Sequence, residues 1–156
     1  KHFVKLYYSI MQTLIIGSDH GGYKFKQEII NYLKHNYENI NLIDVGTHSM
    51  DSCDYPDIAR ELCTHEKLNK EGPSGILICG TGIGMSISAN KFKGIRCALC
   101  HNNYTAKMAR NHNNANVLSI GARVISLDIA KEIVDIFLSE SFEYGRHKRR
   151  VDKYNF

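Results

Sequence analysis

The stretch Gly75-Ile-Leu-Ile-Cys79-Gly80-Thr81-Gly82-Ile83-Gly84-Met-Ser-Ile-Ser-Ala-Asn90 decides the fold of this chain. Its unbroken apolar run, from Ile76 to Ile78, is typical of a strand that is buried on both faces. A glycine-rich turn follows directly, and small and apolar residues at helical spacing come after it. The stretch therefore predicts a strand, a loop and the N-terminus of a helix.

The glycine loop, residues 80–84, is suited to an anion. Its three glycines let a ligand approach the backbone closely, and several N–H groups can then point at it. The Cys79 thiol and the Thr81 hydroxyl accompany the loop, and a helix N-terminus favours the thiolate form of a cysteine. Such a site suits a reaction that builds negative charge on oxygen. The alternative is a tight turn that only packs the helix on the sheet, since the loop matches neither a dinucleotide fingerprint nor a P-loop.

Length and composition indicate one globular domain. The chain has 156 residues, of which 43% are hydrophobic and 23% charged, as in ordinary globular proteins with a substantial core. The net charge is +4, and much of the excess lies near the C-terminus. A local anion site is favoured over a nucleic-acid surface, because binders of single-stranded nucleic acid usually interleave aromatic residues with basic ones. The basic residues are Arg146, Lys148, Arg149, Arg150 and Lys153.

The cysteines and the N-terminal residues bear on the cellular compartment of the protein. Five cysteines, an odd number in a chain of this length, favour a reducing compartment over a disulfide framework, and we expect the protein to be cytoplasmic. The pattern Cys97-x-x-Cys100 is half of a zinc motif without its other half, so no metal site is expected. No apolar run approaches transmembrane length. Residues 1–10 precede Met11 and are expected to form an extension outside a single domain, residues 11–156.

Strand and helix patterns alternate five times along the chain. The predicted strands are 13–17, 40–45, 76–79, 95–100 and 117–120, and the predicted helices are 23–35, 56–68, one that ends near 90, 103–111 and 126–140. The basic tail, 141–156, allows a further helix. This alternation predicts an α/β fold: a Rossmann-like three-layer sandwich with a five-stranded parallel sheet of order 2-1-3-4-5 and helices on both faces.

In such a sheet, ligands bind beyond the carboxyl ends of the strands, where the winding reverses. For this strand order the reversal lies between strands one and three. Asp19 and His20 follow the first strand, and Cys79 ends the third. We therefore expect these two loops to lie side by side and to form the site.

Further candidate residues each have two interpretations. Asp19 is a ligand-binding residue or a helix N-cap, and His112 is a proton carrier or a histidine that ends a helix. Arg146 and Arg150, four residues apart, would share a helix face and clamp one phosphate, or would form a solvated basic tail. Arg123 follows the fifth strand and would lie at the ligand-binding edge.

Short motifs occur in order across residues 12–151. They are Gly17-Ser18-Asp19-His20-Gly21-Gly22, Asp54-Tyr55-Pro56, Ile78-Cys79-Gly80-Thr81-Gly82-Ile83-Gly84, Ala89-Asn90-Lys91, His112-Asn113-Asn114-Ala115-Asn116, Gly121-Ala122-Arg123-Val124 and Gly145-Arg146-His147 with Arg150-Val151. This ordered set resembles the type B ribose-5-phosphate isomerases, in the group that includes galactose-6-phosphate isomerase subunits.

The resemblance implies an aldose–ketose isomerase on a Rossmann-like fold. The reaction would interconvert ribose 5-phosphate and ribulose 5-phosphate, in the non-oxidative branch of the pentose phosphate pathway, through ring opening and a cis-enediolate. It would need no metal or cofactor. The implied assembly is a homodimer or a tetramer whose sites draw on both chains of a dimer, with no nucleic-acid or membrane partner.

The resemblance also implies a role for each site residue. His112, with Asp19 nearby, would open the furanose ring, and Cys79 would carry the proton between C2 and C1. A second branch of the family has a glutamate four residues after the cysteine position, where Ile83 stands here, so the cysteine branch is the match. The enediolate would be held by Thr81 and by the amides of Gly80, Gly82, Ile83 and Gly84. The remaining residues would bind the phosphate (His20, Arg123, Arg146 and Arg150) or line the site (Tyr55, Asn113 and His147).

Three alternatives stay open. An isomerase of allose 6-phosphate or galactose 6-phosphate would use the same residues in a deeper pocket. A non-catalytic sugar-phosphate sensor would keep the phosphate clamp but would not need Cys79, Thr81 and His112 together. A nucleotide-binding protein is disfavoured by the absence of GxGxxG.

Overall fold

A computed structural model describes residues 11–154, in which five strands alternate with helices. The predicted extension, residues 1–10, lies outside the described residues. The strands are β1 (Gln12–Ser18), β2 (Ile40–Asp44), β3 (Gly75–Cys79), β4 (Cys97–Leu99) and β5 (Val117–Gly121). The helices are α1 (Tyr23–Asn36), α2 (Tyr55–Cys63), α3 (Ile83–Ala89), α4 (Asn103–Asn111), α5 (Leu127–Ser139) and α6 (Gly145–Val151), with a 3₁₀ turn at His20–Gly22.

The five strands form one parallel sheet, which confirms the predicted α/β class. The predicted order, 2-1-3-4-5, is wrong in its last two positions, because the observed order is β2-β1-β3-β5-β4. Ile78 of β3 is in register with Ser18 of β1 on one side and with Ile120 of β5 on the other. The carboxyl ends of β1 and β3 are therefore neighbours, as expected.

Strand length and burial explain the exchange of β4 and β5. All five residues of β5 are buried, whereas the three residues of β4 are only half-buried, and an edge position exposes one side of a strand. Close packing at Gly121 also favours β5 beside β3. A Cβ at Gly121 would lie 2.5 Å from the carbonyl carbon of Thr81, so the end of β5 contacts the glycine loop directly.

Alternate residues of the central strands point into two separate cores. Leu14 and Ile16 pack with α1, α4 and α5 on one face, while Ile15 packs with α2 and α3 on the other. This alternation follows from the two-residue period of a strand. Burial of each such aliphatic side chain contributes about 1.5–3 kcal/mol, so both helical layers are held firmly against the sheet.

Helix α2 is shorter than predicted, and the basic tail is helical. The prediction of a helix over 56–68 is wrong after Cys63. Thr64 caps the helix, its hydroxyl donates to the carbonyl of Arg60, and the next amide, of His65, donates only three residues back to Leu62. The tail forms α6, a helix of two turns. No helix within residues 11–154 is long and apolar enough to cross a membrane.

Candidate active site

Cys79 lies at the carboxyl end of β3, directly under the glycine loop. Its side chain is buried, with 5% of the residue exposed. The backbone N–H of Gly82 donates a hydrogen bond to its Sγ over 3.1 Å, and the N–H of Ile83 donates to Thr81 Oγ1 over 3.2 Å. The sulfur, the Thr81 hydroxyl and the backbone amides of the glycine loop therefore lie together.

The loop conformation is fixed by its packing. Gly82 has a φ of +79°, which favours glycine, and its carbonyl accepts a hydrogen bond from the buried Ser119 hydroxyl over 2.6 Å. A Cβ at Gly82 would lie 2.5 Å from Leu99 Cδ1, and one at Gly84 would lie 2.5 Å from a ring carbon of Tyr55. Tyr55 therefore lies against the first turn of α3, at the mouth of the loop.

Asp19 and His20 lie beside this loop, as the sequence predicts. The Asp19 amide donates to the carbonyl of Ile78 over 3.2 Å, and its carboxylate accepts from the N–H of Gly22 over 3.1 Å. The second contact makes Asp19 the N-cap of the 3₁₀ turn. His20 Nδ1 accepts a hydrogen bond from the backbone N–H of Cys53 over 3.2 Å, so a neutral His20 carries its proton on Nε2.

Arg123 supplies positive charge at the same edge. Its backbone N–H donates to the carbonyl of Gly80 over 2.9 Å. A Cβ at Gly80 would lie 3.0 Å from Arg123 Nη1, and one at Gly21 would lie 3.5 Å from Nη2. The guanidinium thus covers both loops. We call the residues gathered here the carboxyl-edge group: Asp19, His20, Tyr55, Cys79, Gly80, Thr81, Gly82, Ile83, Gly84 and Arg123.

A second group of predicted residues surrounds His112. His112 caps the end of α4, and its ring stacks on that of His147, with centroids 4.0 Å apart and planes 11° apart. Its Nε2 lies 3.5 Å from Glu143 Oε1. Asn113 donates to the Tyr154 hydroxyl over 3.1 Å. We call this set the amino-edge group: His112, Asn113, Glu143, Arg146, His147 and Arg150.

The surroundings of His147 lower its pKa. Burial lowers the pKa of His147, and the nearby His112, Arg146 and Arg150 lower it further, while Glu143 opposes them. The residue is 8% exposed. These surroundings disfavour a positive charge on the ring that stacks on His112.

His112, Glu143 and His147 include donor types that bind transition metals. One ligand atom from each lies within 4.8 Å of the others. Imidazole lone pairs lie in the ring plane, however, and two rings that stack almost in parallel direct them side by side. The three residues could bind one metal ion only after the stack opened.

The two groups lie at opposite edges of the sheet. Helix α4 begins after the carboxyl end of β4 and ends before the amino end of β5, so His112 follows the helix to the amino edge. Cys79 stands at the carboxyl edge beside Gly121, the last residue of β5. The five residues of β5 span about 16 Å. Within one chain, the structure therefore does not bring His112 to Cys79.

A family model described as Ribose/Galactose Isomerase matches residues 14–154. The chain belongs to this family. Ribose-5-phosphate isomerase B of Escherichia coli is 44% identical over 142 residues, which cover 91% of this chain and 93% of that protein. The putative sugar phosphate isomerase YwlF of Bacillus subtilis is 48% identical over 139 residues, 88% of this chain and 91% of that protein.

Solved structures of family members agree with the fold. The ribose-5-phosphate isomerase B of Mycoplasma genitalium, solved with bound ribulose-5-phosphate, has a TM-score of 0.86 at 42% identity and covers 92% of this chain and 94% of that one. The type B ribose 5-phosphate isomerase of Trypanosoma brucei has a TM-score of 0.86 at 40% identity, with 93% and 97% covered. The resemblance to type B isomerases is thus confirmed.

Two residues that contact the predicted site residues were not identified from the sequence. Glu143 lies beside His112, and its position just before the Gly145-Arg146-His147 motif was a usable signal. Cys53 acts through its backbone amide on His20, and a backbone donor leaves no signal in residue type.

Proposed function

We propose that this chain is an aldose–ketose isomerase that interconverts D-ribose 5-phosphate and D-ribulose 5-phosphate. The observation that carries the proposal is the buried Cys79 sulfur, which accepts the Gly82 amide at 3.1 Å inside a loop of glycines. This arrangement supports a base and anion-binding amides within one loop. The relatives named ribose-5-phosphate isomerase B, and the neighbour solved with ribulose-5-phosphate, support the choice of sugar.

In the proposed reaction, Cys79 moves one proton. After ring opening, its thiolate removes the proton from C2 of the open aldose, and the C2 electron pair forms the double bond of a cis-enediolate. The negative charge that develops on oxygen faces the loop amides and the Thr81 hydroxyl, and each well-placed donor is worth on the order of 3 kcal/mol. A proton then passes from the C2 hydroxyl to the oxyanion on C1. The electrons of the C1–C2 double bond take the proton back from the thiol at C1 as the C2 oxygen becomes the carbonyl, which gives the ketose and restores the thiolate.

We further propose that the active protein is at least a homodimer, with each site built from both chains. In support, the amino-edge group, with its ring-opening candidate His112, lies about one strand length from Cys79 in a single chain. Ile83 and Ile87 on α3 are also 51% and 57% exposed, and residues four apart share a helix face. This apolar face adjoins the glycine loop, and we place the two-fold contact there. In the proposed dimer the second chain supplies its His112 and its Arg146 to the site of Cys79.

Phosphate binding is then divided between the chains. His20 Nε2–H and Arg123 approach from the chain that supplies Cys79. Arg146 and Arg150 come from the exposed face of α6 in the second chain. Three guanidinium groups and an imidazole suit a phosphate dianion, because charge-assisted hydrogen bonds to phosphate are strong.

The test is isomerisation of ribose 5-phosphate by the wild type and by Cys79→Ala, with allose 6-phosphate and galactose 6-phosphate as comparison sugars. We expect turnover of the pentose phosphate that disappears in the variant. A preference for a hexose phosphate would keep the mechanism and change the substrate. A folded wild type that binds these sugars and turns over none of them would refute the enzyme and support a sensor.

A further inference from the structure

Lys26 is a fully buried lysine with no part in the chemistry proposed above. It lies on α1 with 0% exposure. Its Nζ donates to Asp44 Oδ1 over 2.6 Å and to the carbonyl of Thr47 over 2.6 Å, and lies 5.6 Å from the centre of the Tyr23 ring. Burial of an ammonium group costs free energy unless its donors are satisfied. The contacts with Asp44 and Thr47 are therefore strongly favoured and hold these two residues in place.

The contacts of Lys26 close a short loop at the end of β2. Asp44 Oδ1 also accepts from the N–H of Gly46 over 2.9 Å. One carboxylate oxygen and one ammonium therefore tie together both ends of residues 44–47. An apolar side chain at position 26 would fill the same space but would leave the Thr47 carbonyl and the Asp44 carboxylate without their shared donor.

This closed loop holds the backbone next to the site. The N–H of Ser18 donates to the carbonyl of Gly46 over 2.7 Å, and the N–H of Thr47 donates to the carbonyl of Ser18 over 2.6 Å. Ser18 is thereby held from both sides by residues that Lys26 ties down. The next residues in the chain are Asp19 and His20, so the loop sets where the carboxyl-edge group begins.

The same loop leads to the second anchor of His20. The chain continues from Thr47 to Cys53, whose N–H donates to His20 Nδ1. The backbone that leads into His20 is therefore held at Ser18, and the ring of His20 is held at its Nδ1 by the amide of Cys53. The contacts of Ser18 involve Gly46 and Thr47 directly, and the contact of Cys53 follows further along the same segment.

We propose that Lys26 is a positioning residue for the substrate-binding edge: through Asp44 and Thr47 it holds the backbone of Ser18 and the Nδ1 contact of His20, and so aims His20 Nε2–H at the phosphate. The consequence for substrate rests on the proposed function. The structural part, the orientation and tautomer of His20, does not.

The test compares Lys26→Met with Ile133→Ala, a substitution in the buried core of α5 that touches none of these residues. Both variants are studied as full chains at temperatures where each is folded. Should Lys26→Met fail to fold, the double variant Lys26→Met/Asp44→Asn removes the unpaired carboxylate charge and takes its place. Three quantities are measured: amide hydrogen exchange at residues 46, 47 and 53, the ¹⁵N shifts of the His20 ring, and the inhibition constant of inorganic phosphate.

For Lys26→Met we expect faster amide exchange at these residues and a His20 ring that loses its Nε2–H preference. We also expect KM and the inhibition constant of phosphate to rise on the order of tenfold, with a smaller change in kcat, because small misplacements of a binding group are costly. Ile133→Ala should leave these quantities as in the wild type. Exchange and ring shifts that match those of Ile133→Ala would overturn the inference. If the ring shifts change in Lys26→Met but the wild type itself turns over no sugar phosphate, the inference about Lys26 stands and the proposed function is refuted.

Discussion

The backbone N–H of Gly82 points at the sulfur of Cys79 over 3.1 Å. Neither serine nor alanine places a sulfur at this position. We expect Cys79→Ser and Cys79→Ala to lower kcat about 10³-fold, in keeping with the loss of a general base. The binding constant for ribose 5-phosphate, measured by calorimetry, should change little, because the phosphate contacts remain. Cys100→Ala, another buried thiol, is the control and should keep its turnover.

Removal of His112 should separate ring opening from proton transfer. Ribulose 5-phosphate carries its phosphate on O5 and stays open-chain, whereas ribose 5-phosphate is mostly cyclic. We therefore expect His112→Ala to lower kcat/KM for ribose 5-phosphate by about 10²-fold or more, and to affect initial rates from ribulose 5-phosphate far less. Equal losses in the two directions would remove His112 from the ring-opening step.

Two inactive variants should restore activity when they are combined. If each site takes Cys79 from one chain and His112 from the other, a mixed dimer of Cys79→Ala and His112→Ala contains one intact site. Random pairing makes half of the dimers mixed, so co-refolded equal amounts should reach about one quarter of wild-type turnover. Mixed protein that stays as inactive as its parents would contradict a shared site.

Arg146 and Arg149 offer a matched pair on α6. Both are exposed arginines of this helix, but only Arg146 belongs to the motif that predicts phosphate binding. We expect Arg146→Ala to raise KM for ribose 5-phosphate about tenfold or more, since a hydrogen bond to a charged group is worth about 1.5–3 kcal/mol. Arg149→Ala should leave KM near the wild-type value. Parallel changes in both variants would indicate a diffuse charge effect that added salt should screen.

His147 should make the fold sensitive to acid. Its pKa is lowered in the folded chain, chiefly by burial, whereas in the unfolded chain it is about 6.5. As the pH falls below about 6.5, the unfolded state binds more protons than the folded state. The free energy of unfolding therefore decreases as the pH decreases, until the pH passes the lower pKa of the folded chain. We expect His147→Gln to reduce the loss of Tm between pH 7.5 and pH 5.5. The control His101→Gln should lose as much Tm as the wild type over this range. An equally large Tm loss in His147→Gln would contradict the prediction.

Local features of the site could be predicted from sequence, whereas its assembly could not. The glycine loop, the Asp19–His20 turn and the neighbouring positions of β1 and β3 follow from residue type and parallel winding. The exchange of β4 and β5 depends on how closely Gly121 packs against Thr81, which no local pattern reports. The position of His112 at the amino edge could have been predicted from the topology, because a helix between two parallel strands must end at that edge. The motif around His112 does not by itself show this position.

The separation of His112 from Cys79 has a consequence for how the protein responds to dilution. Under the proposed function, an isolated chain contains all of the required side chains and yet no complete site. Specific activity should then follow the association of chains and fall as the protein is diluted below its dissociation constant. A sugar phosphate bound by both chains would oppose that dissociation. Substrate would therefore stabilise the dimer that converts it.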